Sequence, residues 1–315
     1  MTFTYERAAD DLSPLADAGT QALAGGTDLL PLHKLGLTDP DRLLDLKTSG
    51  LPATIVPADG GWRIGALATL ADVEDHGGLR AAVPMVALAV ERAATRQIRN
   101  RATVGGNLLQ EPRCRYFRSE DLTCWYQGDE DCLARDGRNE HHAIFQTSPC
   151  VAVQPSDLAS ALVCTGALVE LEGGRDVPVA ELLAPPTDEH RSLHRLPAGA
   201  AIRSVRIPIQ DRRRSTYRKA MDRAAWQFAL AGVAASVAVG DDGTVDDASL
   251  VASGVAAVPW RLAASEAALT GRRLDDEAIA DASAAAAEGA EPLSENGYKA
   301  ALLRGLVGRA LDDLR

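Results

Sequence analysis

The sequence predicts an α+β protein with two domains, and three observations support this fold class. The chain has 315 residues, which is enough for two domains of ordinary size. Strand-like and helix-like segments alternate up to residue 210, whereas a hairpin followed by helices makes up the rest. The composition, 46% hydrophobic and 24% charged residues, is typical of a globular protein with a substantial core. We therefore predict a first domain over residues 1–210 and a second over residues 211–315.

Residues 1–55 predict a small α/β subdomain. A polar helix is expected around residues 11–19, followed by the apolar segment Ala22-Leu23-Ala24. The sequence Gly25-Gly26-Thr27-Asp28 then opens a second helix that continues to Lys34.

Residues 56–210 predict a larger subdomain that contains a long loop. Apolar spacing and turn residues predict its regular elements. These are a strand over 62–66, helices over 83–95 and 156–164, a hairpin turn at Gly173-Gly174 and a strand over 201–209. Between residues 111 and 150 the apolar periodicity disappears, and Cys, Arg, Asp, Gly and His take its place. Loops of this length are normally functional or disordered, so residues 111–150 are a candidate functional loop.

The second domain is predicted to be an antiparallel sheet covered by helices. Its first residues, Asp211-Arg212-Arg213-Arg214, are interpreted as a solvated linker. Segments 232–239 and 248–253 then flank the turn Asp241-Asp242-Gly243, a pattern typical of a hairpin. Helices are expected over 261–270, 276–288 and 297–314, which completes an α+β domain.

The charge of the chain excludes one class of partner. A formal net charge of −11 and a pI near 5.1 argue against nucleic-acid binding, which would need a basic face. The chain begins without a basic region followed by an apolar stretch, and it has no run of roughly 18 apolar residues. We therefore expect neither an export signal nor a membrane span in it.

Two glycine turns are candidate phosphate sites. The first turn consists of Ala24, Gly25, Gly26, Thr27, Asp28 and Leu29, and the second contains Thr103, Gly105, Gly106 and Asn107. Glycine lets a bulky group approach the backbone, and N–H groups at a helix start favour anions. Two glycines before a helix are more often a plain capping turn, but two such turns in one chain could grip the two phosphates of a dinucleotide. Seven arginines between residues 92 and 118 add positive charge there, unless they form an ordinary salt-bridged helix end.

Four of the five cysteines fall in the long loop, and they are Cys114, Cys124, Cys132 and Cys150. The pattern C-x9-C-x7-C-x17-C lacks the C-x2-C pairs of zinc sites, so it favours an iron–sulfur cubane over zinc. From the residues alone, unlinked buried thiols remain an alternative. His141 or His142 could replace one ligand, although the favoured interpretation places both histidines on the surface. Cys164 lies on an apolar helix face and is predicted to be a core residue.

These motifs together carry a family resemblance. Residues 24–30 and 97–108, Pro155-Ser156-Asp157 and Trp260-Arg261-Leu262 resemble the FAD-binding medium subunit of the xanthine dehydrogenase family of molybdenum hydroxylases. The resemblance spans nearly the whole chain. It implies an FAD-binding domain of two α/β subdomains, of the PCMH type found in vanillyl-alcohol-oxidase-like proteins, followed by a flavoprotein C-terminal domain. It also implies that both glycine turns hold the FAD diphosphate and that Asp157 hydrogen-bonds to the cofactor.

Within that family, the cysteine-rich insertion resembles a subgroup with an added cluster. The segment Cys114-Arg115-Tyr116-Phe117-Arg118 and the three later cysteines are similar to periplasmic aldehyde oxidoreductases and 4-hydroxybenzoyl-CoA reductases. The resemblance implies a 4Fe-4S cluster on the four loop cysteines, beside FAD. It implies a heterotrimer, able to dimerise, with a 2Fe-2S small subunit and a molybdopterin large subunit. Substrate oxidation would occur on the partner, so no catalytic residue is assigned here, and electrons would pass through FAD to an external acceptor.

Several points follow from this resemblance as expectations. Family members that use NAD have a lysine where this chain reads Trp226-Gln227-Phe228, and Lys219 upstream is interpreted as a solvent residue, so NAD is disfavoured as acceptor. The cluster and FAD sites are expected to be separable. The subunit would be cytoplasmic, or periplasmic by export with a signal-bearing partner. The alternatives are a stand-alone FAD oxidase and a zinc-stabilised assembly module without a redox role.

Overall fold

A computed structural model describes residues 3–58, 60–208 and 210–315 of the chain. The strands in these ranges form three sheets, with three, five and four strands. In these ranges, no helix is long and apolar enough to span a membrane. Residue 209, the last residue of the strand expected over 201–209, lies outside the described residues.

The first sheet is parallel and lies near the N-terminus. Its strand order is β1-β3-β2, and β3 pairs in parallel with both neighbours. The elements are β1 (Thr4–Arg7), β2 (Thr20–Leu23), α1 (Leu29–Lys34) and β3 (Arg42–Asp45). The polar helix expected around residues 11–19 is wrong, because only the 3-10 turn Ser13–Ala16 forms there. Pro14 starts that turn, and Gly19, at φ +74°, then directs the chain into β2.

The second sheet is antiparallel and has the order β4-β5-β8-β6-β7. Its strands are β4 (Ile55–Ala58), β5 (Gly61–Gly65), β6 (Leu168–Leu171), β7 (Asp176–Pro178) and β8 (Ile202–Pro208). The predicted hairpin at Gly173-Gly174 is confirmed, since β6 pairs with β7 and both glycines have positive φ. This sheet supplies the scaffold on which the helices of the first domain pack.

Short helices accompany the second sheet. They are α2 (Leu70–Asp75), α3 (Gly77–Ala82), α4 (Pro84–Glu91), α5 (Arg96–Arg99), α6 (Val104–Leu108), α7 (Asp157–Cys164) and α8 (Val179–Leu182). The helix expected over 83–95 ends early because Ala94 adopts φ +51°, and Thr95 then caps α5. The helix expected over 156–164 is confirmed as α7, and the Ser156 hydroxyl caps it by accepting from the N–H of Ala159.

The third sheet is antiparallel, has the order β12-β11-β10-β9 and carries the C-terminal helices. Its elements are β9 (Arg213–Ala220), β10 (Ala231–Val239), β11 (Val245–Ser253), β12 (Trp260–Arg261), α9 (Ala263–Leu269), α10 (Asp276–Ala285) and α11 (Tyr298–Asp312). The predicted hairpin and the three helices are present. The predicted linker is wrong in part, because Arg213 and Arg214 already pair with β10 in the ladder.

One hydrophobic core joins the two predicted domains. Residues of α4, α7 and the second sheet pack with Tyr217, Ala234 and Val251 of the third sheet. A second core packs β10 and β11 against α9, α10 and α11. The predicted boundary between residues 210 and 211 falls in the turn between β8 and β9, and the shared core holds both sides of this turn together.

Candidate cofactor site

A cavity of about 900 Å³ lies between the first sheet, the second sheet and the cysteine-rich loop. This volume falls within the range of roughly 300–1,000 Å³ that is typical of ligand pockets. Most predicted cofactor-binding residues line it, namely Ala24, Gly25, Gly26, Thr27, Asp28, Leu29, Thr103, Gly105 and Gly106. Asn107 and Asp157 were predicted with them but are not among the lining residues. The tertiary structure thus brings the two glycine turns to one cavity.

The first glycine turn presents unpaired backbone donors. Within the described ranges, the N–H groups of residues 25–29 have no hydrogen-bond acceptor. Gly26 has φ +72°, a conformation that is strained for residues with a side chain. Successive free N–H groups in such a turn form a concavity suited to an anion, so this turn is the donor side of the cavity.

The second glycine turn has the same kinds of residues but its donors are occupied. The N–H groups of residues 104–107 donate to Ala68 O, Ala66 O, Thr103 Oγ1 and Thr103 O, at 2.9, 2.9, 3.3 and 2.8 Å. A side chain at Gly106 would meet only Thr103 Oγ1 within 4 Å, at 3.1 Å from its Cβ. The second turn therefore contributes open space, whereas the first contributes donors.

The two turns are in direct contact through the backbone. A Cβ atom at Gly25 would lie 2.1 Å from the carbonyl oxygen of Arg101 and 3.1 Å from the Cα of Ala102. These residues lead directly into the second turn at Thr103. The close approach requires glycine at position 25 and fixes the relative placement of the two turns.

Asp28 forms ion pairs with two arginines of the predicted cationic segment. Both Arg113 and Arg118 form ion pairs with Asp28 Oδ1 at 2.7 Å, and the N–H of Glu111 donates to Asp28 Oδ2 at 2.8 Å. Earlier in the same segment, Arg96 and Arg99 form ion pairs with Glu74. For these four arginines, the salt-bridged alternative is therefore the correct interpretation, because carboxylates from distant positions in the sequence fold against them.

The cysteine-rich loop forms one wall of the cavity. Five of its residues line the cavity, and they are Glu111, Phe117, Glu120, Tyr126 and Gln127. The hydroxyl of Tyr126 donates to Glu111 Oε2 at 2.7 Å and accepts from the N–H of Leu193 at 3.1 Å. None of these residues belongs to a predicted site motif; the available signal was that Phe117 and Tyr126 follow closely after Cys114 and Cys124. None of the four loop cysteines lines the cavity, and the expectation of two separable sites stays a prediction.

The four loop cysteines converge behind this wall. Cys124 and Cys150 are buried in a cluster with Leu32, Phe117 and Tyr126, and the half-buried Cys114 and Cys132 pack against the same cluster. No cysteine of the described chain is in a disulfide. Within the described residues, no group of three or more His, Cys, Asp and Glu side chains is arranged as the ligands of a metal ion. The four thiols thus belong to one cluster of the loop.

The thiols of this cluster differ in proton affinity. A hydrogen bond from the Cys150 thiol lowers the pKa of Cys132 to about 6, and the same contact together with burial raises the pKa of Cys150. Burial raises the pKa of Cys114 to about 11. Cys164 is buried in α7, as predicted, with its Sγ 3.2 Å from Ser249 O. It belongs to the core and not to the loop cluster.

His142 is buried, so its predicted surface position is wrong. Its side chain reaches the cysteine cluster, where Nε2 lies 3.2 Å from Cys114 Sγ. Burial and the nearby ammonium of Lys299 lower the pKa of His142 to about 4, so its imidazole is neutral. His141 is half-exposed, in agreement with its predicted position. His142 points inward because the loop packs against residues 295–299. No local sequence pattern predicts this packing.

Asp157 is engaged within the protein. Its carboxylate accepts from the Tyr217 hydroxyl at 2.6 Å and from Lys219 Nζ at 2.7 Å, and both partners are in β9. The Lys219 side chain is 1% exposed, so its predicted role as a solvent residue is wrong. Its ammonium is stabilised in the core because it also donates to the carbonyls of Arg92 and Gln227. Asp157 therefore joins α7 to the third sheet.

Asn107 likewise makes a contact within the protein. Its Oδ1 accepts from the Ser156 hydroxyl at 2.6 Å, and Ser156 caps α7. This hydrogen bond connects the end of the second glycine turn to the start of α7. Asn107 and Asp157 thus both make hydrogen bonds that hold α7 in place, and neither residue lines the cavity.

Two family models together match nearly the whole chain. Residues 4–210 match the FAD binding domain in molybdopterin dehydrogenase, and residues 215–314 match the CO dehydrogenase flavoprotein C-terminal domain. Among curated proteins, the aldehyde oxidoreductase FAD-binding subunit PaoB of Escherichia coli (strain K12) is 35% identical, over 99% of this chain and 98% of its own. The glyceraldehyde dehydrogenase medium chain of Sulfolobus acidocaldarius is 24% identical, over 88% and 83%.

Solved structures share the fold. CO dehydrogenase from Hydrogenophaga pseudoflava superposes with a TM-score of 0.76 and 23% identity, covering 99% of this chain and 96% of that one. Reconstituted CO dehydrogenase from Oligotropha carboxidovorans has a TM-score of 0.77 and 22% identity, covering 100% and 98%. At these identities the likeness concerns the fold alone, and it confirms the predicted fold class.

Proposed function

The chain belongs to the FAD-binding subunits of the molybdenum hydroxylase family, and we propose that it carries a 4Fe-4S cluster in addition to FAD. As a member of this family it is an electron-transfer subunit of an oxidoreductase. The proposed ligands are Cys114, Cys124, Cys132 and Cys150. The partners would be a 2Fe-2S subunit and a molybdopterin subunit, and the substrate an aldehyde, as the names of two long-matching relatives suggest. The compartment stays a prediction: cytoplasm, or periplasm by export with a partner.

The cavity between the glycine turns is the proposed FAD site. Its volume, its free N–H groups at residues 25–29 and the open side of Gly106 suit a large cofactor with a diphosphate. We assign the diphosphate to the first turn, because its backbone N–H groups are free whereas those of the second turn already donate within the protein. Bound FAD would supply the ability to accept two electrons and to release them singly or in pairs.

The observation that carries the cluster proposal is the convergence of four cysteines, none of them in a disulfide, behind one wall of the proposed FAD cavity. The spacing C-x9-C-x7-C-x17-C lacks the C-x2-C pairs that are usual at zinc sites. In a cubane each thiolate binds a different iron at its own corner, so a looser ring of sulfurs is the expected protein contribution. The shared wall, with Phe117 and Tyr126 in it, would put the cluster beside the flavin.

The experiment is a metal and flavin analysis of the complex, purified with its co-purifying subunits in the absence of air. The unmodified complex should contain about four irons assignable to this chain. Cys124→Ser should remove this iron while FAD stays bound, because Cys124 does not line the cavity. The matched control Cys164→Ser makes the same chemical change in the core and should leave the iron unchanged.

Three results would contradict the proposal in different ways. Zinc in place of iron would favour the assembly module. Substrate turnover by the chain without partners would favour the stand-alone FAD oxidase. Equal iron content in Cys124→Ser and the unmodified complex would remove Cys124 from the ligand set.

A further inference from the structure

His142 makes a contact with a cysteine that the proposed function does not use. It is 5% exposed, and its Nε2 lies 3.2 Å from Cys114 Sγ. Within the described chain its other ring nitrogen, Nδ1, is buried and has no hydrogen-bond partner. The imidazole is therefore directed at the Cys114 sulfur through Nε2.

The direction of the hydrogen bond follows from the chemistry of the two groups. An imidazole nitrogen that carries a proton is a hydrogen-bond donor, and Nε2 is the ring nitrogen that faces the sulfur. A cysteine that binds iron is a thiolate and has no proton to donate. Only the tautomer with its proton on Nε2 then forms the bond, and Nε2–H donates to Cys114 Sγ.

His142 is held in this position by the second domain. The side-chain amide of Asn296, which is fully buried, donates to the His142 carbonyl at 3.2 Å and to the Ala143 carbonyl at 3.1 Å. The buried Lys299 donates to the carbonyls of His141 and Gly254, at 2.9 and 2.7 Å. The backbone around His142 is therefore fixed from both sides, and the imidazole is preorganised toward the sulfur.

We propose that His142 is a positioning residue that raises the reduction potential of the iron–sulfur cluster by donating a hydrogen bond to the Cys114 sulfur. The proposal rests on the proposed function, since it requires a cluster at these cysteines. Reduction adds one electron to the cluster and increases the negative charge on its ligand sulfurs. A donor at the sulfur stabilises this more negative state, and hydrogen bonds to sulfur are among the factors that set cluster potentials.

The test uses two substitutions that differ only in the donor. His142→Gln keeps an N–H group at the reach of Nε2, whereas His142→Met has similar length and no donor. Each intact complex is titrated electrochemically, and the reduced cluster is followed by EPR. His142→Met should become harder to reduce, with a severalfold lower ratio of reduced to oxidised cluster at a fixed potential, where tenfold corresponds to about 59 mV for one electron. His142→Gln should remain close to the unmodified complex.

The neighbouring residue provides a matched control. His141→Gln changes a half-exposed histidine next in the chain and should leave the potential unchanged. An unchanged potential in His142→Met, with full iron content, would overturn the inference while leaving the cluster proposal intact. Absence of iron from the unmodified complex would instead overturn the proposed function, so the two failures are distinguishable.

A second measurement keeps the inference testable if His142→Met loses its cluster. The unmodified complex labelled with ¹⁵N-histidine is reduced and studied by pulsed EPR. A weakly coupled histidine nitrogen supports the N–H···S hydrogen bond. No coupling, or a coupling strong enough for direct iron ligation by His142, would overturn it.

Discussion

The two glycine turns look alike in sequence but contribute differently to the cavity. In the first turn, the N–H groups of residues 25–29 have no acceptor within the described chain. In the second, those of residues 104–107 are all occupied by the protein itself. The first turn can therefore bind an anion through its backbone, while the second leaves space at Gly106. A repeated motif does not imply a repeated role, because hydrogen-bond partners come from elsewhere in the fold.

The glycines themselves show the same difference. Gly25 is required by packing, since its missing Cβ would overlap the carbonyl of Arg101 at 2.1 Å. Gly106 is not required by packing to the same degree, because its Cβ would meet only the Thr103 hydroxyl. Substitutions at these positions should therefore separate the stability of the protein from its affinity for FAD.

The largest effect is expected for Gly25→Ala. The new methyl group would force the first turn away from the backbone at Arg101, at a cost of about 3 kcal/mol in unfolding free energy. We expect both a lower melting temperature and loss of FAD. Thermal melting and the flavin content of the purified complex measure the two effects. Gly77→Ala is the control, because nothing lies within 4 Å of its added Cβ. An unaltered melting temperature in Gly25→Ala would contradict the contact between the turns.

A more selective effect is expected for Gly106→Leu. The side chain should occupy the cavity and weaken FAD binding at least about 100-fold, ~2.8 kcal/mol, with little change in the stability of the FAD-free protein. Flavin affinity is measured by fluorescence titration and stability by thermal melting after flavin removal. Gly305→Leu, on the open face of α11, should retain FAD. Full flavin affinity in Gly106→Leu would show that the cofactor does not use this side of the cavity.

The smallest effect is expected for Thr103→Ala. The Thr103 hydroxyl caps α6 by accepting from the N–H of Gly106, and loss of such a cap costs about 1 kcal/mol. Thr103 also lines the cavity, so loss of its hydroxyl and of this cap should lower FAD affinity by less than about tenfold. Thr95→Ala removes the equivalent cap of α5, outside the cavity lining, and should reduce stability similarly without changing FAD affinity. Equal losses of affinity in both variants would mean that Thr103 acts only through stability.

Local patterns predicted most of the fold and the residue types of the site. The hairpin at Gly173-Gly174, helix α7 and the C-terminal helices follow from periodicity and turn residues, which depend on near neighbours in the chain. The glycine turns were recognisable for the same reason. Arg213 and Arg214 were misassigned because a run of charges does not show whether a neighbouring strand will pair with it.

The errors at the site have a common physical cause. Lys219 was placed in solvent and His142 on the surface because lysine and histidine usually lie there. Both are buried because distant groups compensate or surround them: Asp157 pairs with Lys219, and Cys114 contacts His142. No local pattern identifies a partner that lies tens of residues away.

The sequence by itself determined which chemical groups the protein has: two glycine turns, four clustered cysteines and an acidic, globular chain of the α+β class. These depend on composition, spacing and short-range backbone preferences. Only the tertiary structure decided which N–H groups remain free, which arginines are neutralised, and that the cysteine loop forms a wall of the cavity between the glycine turns. Hydrogen bonds, ion pairs and shared walls form between residues far apart in the chain, so they exist only once the chain has folded.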